Sequence, residues 1–320
     1  MRDHGGNLDW AMRHYGGAAE AWIDLSTGIN RVPYPVPPLS ADAWAALPTR
    51  AALDGLRAAA AKAYGTSAAI LPVAGAQAAI QMIPRLGAPG LARVLSPTYN
   101  EHAAALRAAG WQVEEVAGLA ELAGADLAVV VNPNNPDGQR HQPDALLGLL
   151  GKVGRLVVDE SFADPQPEYS LASAAGRKGL FVLRSFGKFY GLAGVRLGFV
   201  LGAEAEVAAL ADMAGPWPVS GAAIEIGRAA LADQAWAQET VRRLTAEMAQ
   251  MDTLATGAGG QICGGTELFR LYETGHATAA QERLAKAHIW SRIFPWSEGL
   301  LRLGLPGPGP EWARLAVALS

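Results

Sequence analysis

The sequence predicts an α/β protein: a mostly parallel sheet with helices on both faces, plus a smaller α+β domain. Three observations point there. Several short runs are apolar on consecutive residues, Leu127 to Val131 being the clearest, and a strand covered on both faces needs that pattern. Between residues 69 and 201 such runs take turns with stretches of helical spacing, as βαβ units require. From Ala203 onward helical stretches dominate, and the strand signals weaken.

Residues 1–47 are rich in Gly, Pro and aromatics, and Val32 to Pro38 holds prolines that fix φ and remove donors, so this part reads as an extended arm. A helix begins near Arg50, where Leu53, Leu56, Ala60 and Ala63 recur at helical spacing, and stops near Gly65. Strands are expected at Ala69 to Val73, Ala92 to Leu95, Trp111 to Val116, Leu127 to Val131, Arg155 to Val158, Leu180 to Leu183 and Leu197 to Leu201. Helical stretches separate the first of these, at Ala76 to Leu86, Asn100 to Ala109, Leu119 to Ala123 and Asp144 to Leu150. Further helices cover Ala222 to Ala232 and Gln234 to Ala255, and strand signals return at Leu268 to Leu271 and Leu300 to Leu303. A last helix is expected at Glu311 to Leu319. The division expected is an arm, 1–47, contributing to the small domain; a large α/β domain, 48–210; and a small C-terminal α+β domain, 211–320. Catalytic loops belong at the C-terminal ends of parallel strands.

Composition narrows the function. With 320 residues, 50% hydrophobic, 18% charged and a formal charge of −4, the chain has no basic footprint for nucleic acid or anionic lipid. Its N-terminus has no apolar signal region and no stretch is apolar enough to span a bilayer, so a cytoplasmic protein with no membrane partner is expected. The single cysteine, Cys263, forbids an intrachain disulfide and reads as a small packed side chain. His14, His102, His141, His276 and His288 show no metal-ligand spacing, and no metal is expected. The only lysines are Lys62, Lys152, Lys178, Lys188 and Lys286.

Of these, Lys188 has the informative surroundings, Ser185-Phe186-Gly187-Lys188 running on to Arg196. A hydroxyl lies three residues before the amine and a guanidinium eight after it, with glycines between. That arrangement suits a lysine forming a Schiff base with a phosphorylated aldehyde while its neighbours hold the phosphate. The stretch resembles the lysine segment of fold-type I pyridoxal 5'-phosphate enzymes, the aspartate-aminotransferase superfamily, and other segments match in chain order. Asn132-Pro133-Asn134-Asn135-Pro136-Asp137-Gly138 is similar to the family's N-P-x-N-P-T-G turn, with Asp137 in place of Thr.

The resemblance implies pyridoxal phosphate as cofactor. It implies Lys188 as the Schiff-base amine, Asp159 as the partner of the ring nitrogen, Asn135 as donor to the ring phenolate and Tyr99 as stacking aromatic. Gly75, Ala76 and Gln77 would bind phosphate through backbone amides, beside Ser185 and Arg196. Phe162 stands where the family frequently has Tyr. Arg302 resembles the substrate-carboxylate arginine, and Arg292 a second arginine found in phosphate-recognising relatives. Plain structural readings also exist: a tight turn at Asn132 to Gly138, a helix cap at Asp159, a core tyrosine at Tyr99, and solvated strand charges at the two arginines.

The arm, His4-Gly5-Gly6-Asn7 followed by Trp22 to Asn30, resembles that of the branch which decarboxylates phosphorylated threonine for cobalamin synthesis. It implies substrate contacts from His4, Gly5, Gly6 and Asn30, with consecutive glycines allowing close approach to an oxyanion. A histidinol-phosphate transaminase would share nearly every cofactor residue and differ in the bond it aligns. A cofactor-binding regulator would need a basic helix-turn-helix module that this sequence lacks. The partners implied are a phosphorylated amino acid and a second copy of the chain in a homodimer.

Overall fold

The computed structural model describes residues 4–320 and forms two compact units. One comprises residues 4–33, Pro136–Gly138 and Ala237–Ser320; the other comprises Tyr34–Asn135 and Gln139–Trp236. The chain opens in the first unit with α1 (Leu8–Tyr15) and β1 (Ile23–Asp24). The arm is therefore not wholly extended: the Asn7 side chain accepts from the Trp10 amide, and Ala11 packs with Trp22, Ala285 and Trp290. A side-chain cap and one apolar face suffice for two turns of helix.

The second unit holds α2 (Asp42–Ala45), α3 (Arg50–Tyr64), β2 (Ala69–Val73), α4 (Ala76–Met82), β3 (Leu91–Leu95), α5 (Glu101–Ala108), β4 (Gln112–Val116) and β5 (Leu127–Val131). It continues through α6 (Pro143–Leu147), β6 (Arg155–Asp159), β7 (Leu180–Ser185), α7 (Phe186–Phe189), β8 (Gly198–Gly202), α8 (Glu204–Ala214) and α9 (Gly221–Ala232). Its seven strands run in the order β2-β8-β7-β6-β5-β3-β4. All are parallel except β8, which is antiparallel to both neighbours. The central strands are buried along their length, as their unbroken apolar runs require. For α3 the Thr49 hydroxyl caps the N-terminus, and Leu56 and Ala60 form the buried stripe.

The first unit resumes within α10 (Gln234–Gly257) and adds β9 (Gln261–Thr266), β10 (Phe269–Glu273), α11 (Ala277–Lys286), β11 (Ile289–Trp290), β12 (Arg292–Phe294), β13 (Ser297–Gly304) and α12 (Gly309–Leu319). Four of these strands form an antiparallel sheet ordered β12-β13-β10-β9, and β1 pairs with β11. Strand β9 had no apolar signature because its glycines serve a close approach instead. A Cβ at Gly264 would lie 2.1 Å from the Asp137 carbonyl oxygen. In the same strand Cys263 is exposed rather than packed. Among the described residues no helix is long and apolar enough to cross a membrane.

A buried ionic cluster ties β6 to β7. The Arg184 guanidinium donates to Glu160 at 2.9 Å and to Asp164 at 2.6 Å, while Ser170 and the Leu171 amide also donate to Glu160. Removing the one cation strands two buried acids. Arg184→Leu is expected to lower the unfolding free energy by about 3–5 kcal/mol in urea titrations, and Glu160→Gln added to it should restore part of the loss.

Candidate active site

The parallel strands of the larger sheet deliver their C-terminal ends to one edge, and β8, running the other way, delivers its beginning there. One cavity of about 170 Å³ at this edge is lined by Gly75, Ala76, Gln77, Tyr99, Asn135, Asp159, Ser185, Lys188 and Arg196, together with Phe162 and Ser161. All nine residues expected from sequence to hold a cofactor thus line the same cavity. They come from positions 75 to 196, so only the sheet topology gathers them.

Asp159 ends β6 with 2% of its surface exposed. Its Oδ2 lies 2.8 Å from His102 Nε2, and its Oδ1 accepts from the Ser161 hydroxyl at 2.5 Å and the Ser161 amide at 3.0 Å. Burial pushes this acid up, but the hydrogen bond and charge of His102, with the two Ser161 bonds, outweigh it and hold the carboxyl below its ordinary range. The result is a firm anion in a water-poor place. His102 and Ser161 were not singled out in the sequence as functional residues. The usable signal was position: His102 follows Tyr99 by three residues at the start of α5, so both belong to one helical entry.

At the other end of the cavity two sources of positive potential meet. Gly75 precedes α4 with φ +77°, and a Cβ there would come within 2.7 Å of Arg196 Nη2, so only glycine lets the guanidinium lie against the helix start. First-turn amides of a helix have no partner within it and, with the Arg196 cation, suit a dianion. Arg196 is held with φ 54°, and its Nη1 donates to the Ala193 carbonyl at 3.1 Å. Gln77 contributes its side chain elsewhere: it donates to Glu101 at 2.9 Å and accepts from the Tyr99 hydroxyl at 3.3 Å. Lys188 Nζ lies 5.4 Å from the centre of the Phe162 ring.

The asparagine turn divides its labour. Asn132 closes the loop through bonds to His141 and Tyr169, Asn134 bonds to Thr98 and the Pro97 carbonyl, and Asn135 lines the cavity.

The residues expected to hold substrate belong to the smaller unit. Arg302, on β13, is 4% exposed and stands directly across from Arg292 on β12. It donates to the Ser26 carbonyl at 2.5 Å and lies 5.0 Å from the Phe269 ring centre. Burial, then the like charge of Arg292, pushes the Arg302 guanidinium down to about 9 against the pull of Asp24. Asn30 is buried and accepts from Arg243 at 2.8 Å and from the Val32 amide. Of the glycine pair, the Gly6 amide donates to the Ser26 hydroxyl at 2.7 Å.

A lysine, a buried carboxylate and an arginine set against a helix start thus line one cavity. The chain belongs to the family described as aminotransferase class I and II, whose model matches residues 22–319. Within it, the chain is 43% identical to a threonine-phosphate decarboxylase of Sinorhizobium sp., covering 99% of this chain and 97% of that one. It is also 43% identical to the threonine-phosphate decarboxylase of Pseudomonas aeruginosa, over 100% and 97% of the two chains. The histidinol-phosphate aminotransferase of Sinorhizobium meliloti, solved in complex with pyridoxal-5'-phosphate, superimposes with a TM-score of 0.86 at 22% identity, covering 97% of this chain and 93% of that one. That last likeness is one of fold.

The depressed Asp159 value sets a sign. Its contribution to stability is complete above the unfolded value near 3.8 and is lost as pH falls through the lower folded value. The stability difference between wild type and Asp159→Asn, read from denaturant titrations, should hold steady from about pH 7 to 5 and shrink below about pH 4.

Proposed function

We propose that this chain is a pyridoxal phosphate-dependent lyase that decarboxylates L-threonine O-3-phosphate to (R)-1-amino-2-propanol O-2-phosphate for adenosylcobalamin synthesis. The observation that carries the substrate is the 43% identity, sustained along essentially the whole chain, to the threonine-phosphate decarboxylase of Sinorhizobium sp.. What supports the cofactor is the cavity itself: an amine, a firm anion and an Arg-plus-helix cradle match an aldehyde, a protonatable ring and a phosphate.

When bound, pyridoxal phosphate supplies an aldehyde for amines and an electron-poor ring that accepts the electrons of the breaking Cα–carboxylate bond. In this reading Lys188 holds the aldehyde, Asp159 keeps the ring nitrogen protonated, and Asn135 donates to the ring hydroxyl. Tyr99 stacks on the ring, while Ser185, Arg196 and the amides at Gly75, Ala76 and Gln77 hold the phosphate. Arg292 and Arg302, with His4, Gly5, Gly6 and Asn30, share the substrate's carboxylate and phosphate. Their task would be orientation: two anchored anions leave the substrate little freedom to turn the bond that breaks. Lys188, on the cavity wall, would be the acid that supplies a proton to Cα. Phe162 offers no hydroxyl where a tyrosine would donate to the ring oxygen, which favours a lyase over transaminase tuning.

A cytoplasmic homodimer belongs to the same proposal. Trp44 and Leu47, exposed by 73% and 64%, give the segment around α2 an apolar surface that a second copy would cover.

With cofactor and O-phospho-L-threonine, the purified protein should release carbon dioxide and an equal amount of amino-alcohol phosphate. Transfer of the nitrogen to a keto acid would assign a transaminase instead. Lys188→Ala should lose both the absorption band of lysine-bound cofactor and the release of carbon dioxide. Arg302→Lys keeps the charge but not the fork, and KM should rise roughly 10- to 100-fold. Sedimentation should report a dimer, and an active monomer would overturn that part.

A further inference from the structure

We propose that Ser26 is a positioning residue that seats the His4-Gly5-Gly6 segment beside the strand of Arg302 and thereby sets the affinity for the phosphorylated substrate; the substrate half of this rests on the function proposed above. Ser26 is fully buried and meets three neighbours at once. Its hydroxyl donates to Asp24 Oδ1 at 2.6 Å and accepts from the Gly6 amide at 2.7 Å. Its own amide donates to the same Asp24 oxygen at 2.8 Å, and its carbonyl accepts from Arg302 Nη2 at 2.5 Å.

The chemistry demands a hydroxyl. Asp24 offers only acceptors and the Gly6 N–H only a donor, so the group between them must donate one way and accept the other. Asp24 takes the hydroxyl proton, which turns a lone pair toward Gly6. The packing is equally specific, because a Cβ at Gly5 would lie 2.3 Å from the Ser26 carbonyl oxygen. Gly5 is therefore small because it lies against this seat, and the seat holds the segment that carries the exposed His4, the residue just before the glycine pair. Because the carbonyl side of Ser26 holds Arg302 while its hydroxyl holds Gly6, one residue fixes where the arm ends relative to the guanidinium.

Hydrogen–deuterium exchange and steady-state kinetics on the cofactor-loaded enzyme test this. Ser26→Ala keeps the carbonyl for Arg302 and removes only the seat. It should speed exchange at the Gly6 amide without changing the amides of β13. KM for O-phospho-L-threonine should rise about three- to tenfold, the loss of one neutral hydrogen bond. The kcat should change by less than about twofold, and the absorption of lysine-bound cofactor should not move. Gly5→Ala, which keeps Ser26 and obstructs the seat from the other side, should likewise speed exchange at the Gly6 amide. Unchanged exchange at Gly6 in Ser26→Ala overturns the seat, and accelerated exchange with an unmoved KM overturns its bearing on substrate. A wild type that releases no carbon dioxide would refute the functional reading, and the exchange comparison would still decide the seat.

Discussion

The site depends on one buried anion. Asp159 and Glu160 are consecutive and both buried, yet they carry opposite shifts, and partners decide the difference. Around Asp159 the His102 and Ser161 bonds outweigh desolvation, while around Glu160 desolvation outweighs even the Arg184 cation and raises the carboxyl. The chain thus keeps one acid charged toward the cavity and assigns the next to a structural ion cluster. An ion held in a medium of low polarity costs several kcal/mol if unmatched, so a cationic group facing Asp159 is stabilised more there than in water. The proposed protonated ring nitrogen is such a group.

Topology converts that local chemistry into a site. In a parallel sheet all the C-terminal strand ends lie along one edge, and the loops there carry Gly75, Tyr99, Asn135, Asp159 and Lys188. The antiparallel direction of β8 matters for the same reason. Were β8 parallel, its preceding loop would open at the far edge and Arg196 would be a full strand length from Gly75. As built, the guanidinium lies so near Gly75 that a methyl group would collide with it.

What the sequence made legible was whatever is periodic or local. The helix from Arg50 to Tyr64 and the all-apolar central strands followed from spacing, and the nine cavity residues from a family resemblance carried by motifs contiguous in the chain. Partnerships across the fold were not legible. That His102 backs Asp159, 57 positions away, depends on how α5 packs, and no residue pattern encodes it. Strand β9 was hidden because glycines chosen for backbone contact lack the apolar alternation of a strand. The helix α1 was hidden among glycines and prolines, since a single cap and a few aromatic contacts support it. For Gly5 the letters signalled a close approach, and the backbone it approaches is that of Ser26, whose hydroxyl also accepts from the Gly6 amide.

The pairing of Arg292 with Arg302 sets two like charges face to face on one ladder. Like charges placed directly across an antiparallel ladder repel, and a sheet optimised for folding alone would put an acid in one of the two positions. Here each guanidinium instead lies against an aromatic ring, Arg292 at 5.4 Å from Phe294 and Arg302 at 5.0 Å from Phe269. Those contacts soften the repulsion. Burial and then the like charge of Arg292 push the Arg302 guanidinium down, and negative charge beside the pair would pull it back up. In the proposed reading, the carboxylate and phosphate of the substrate bring negative charge to this pair.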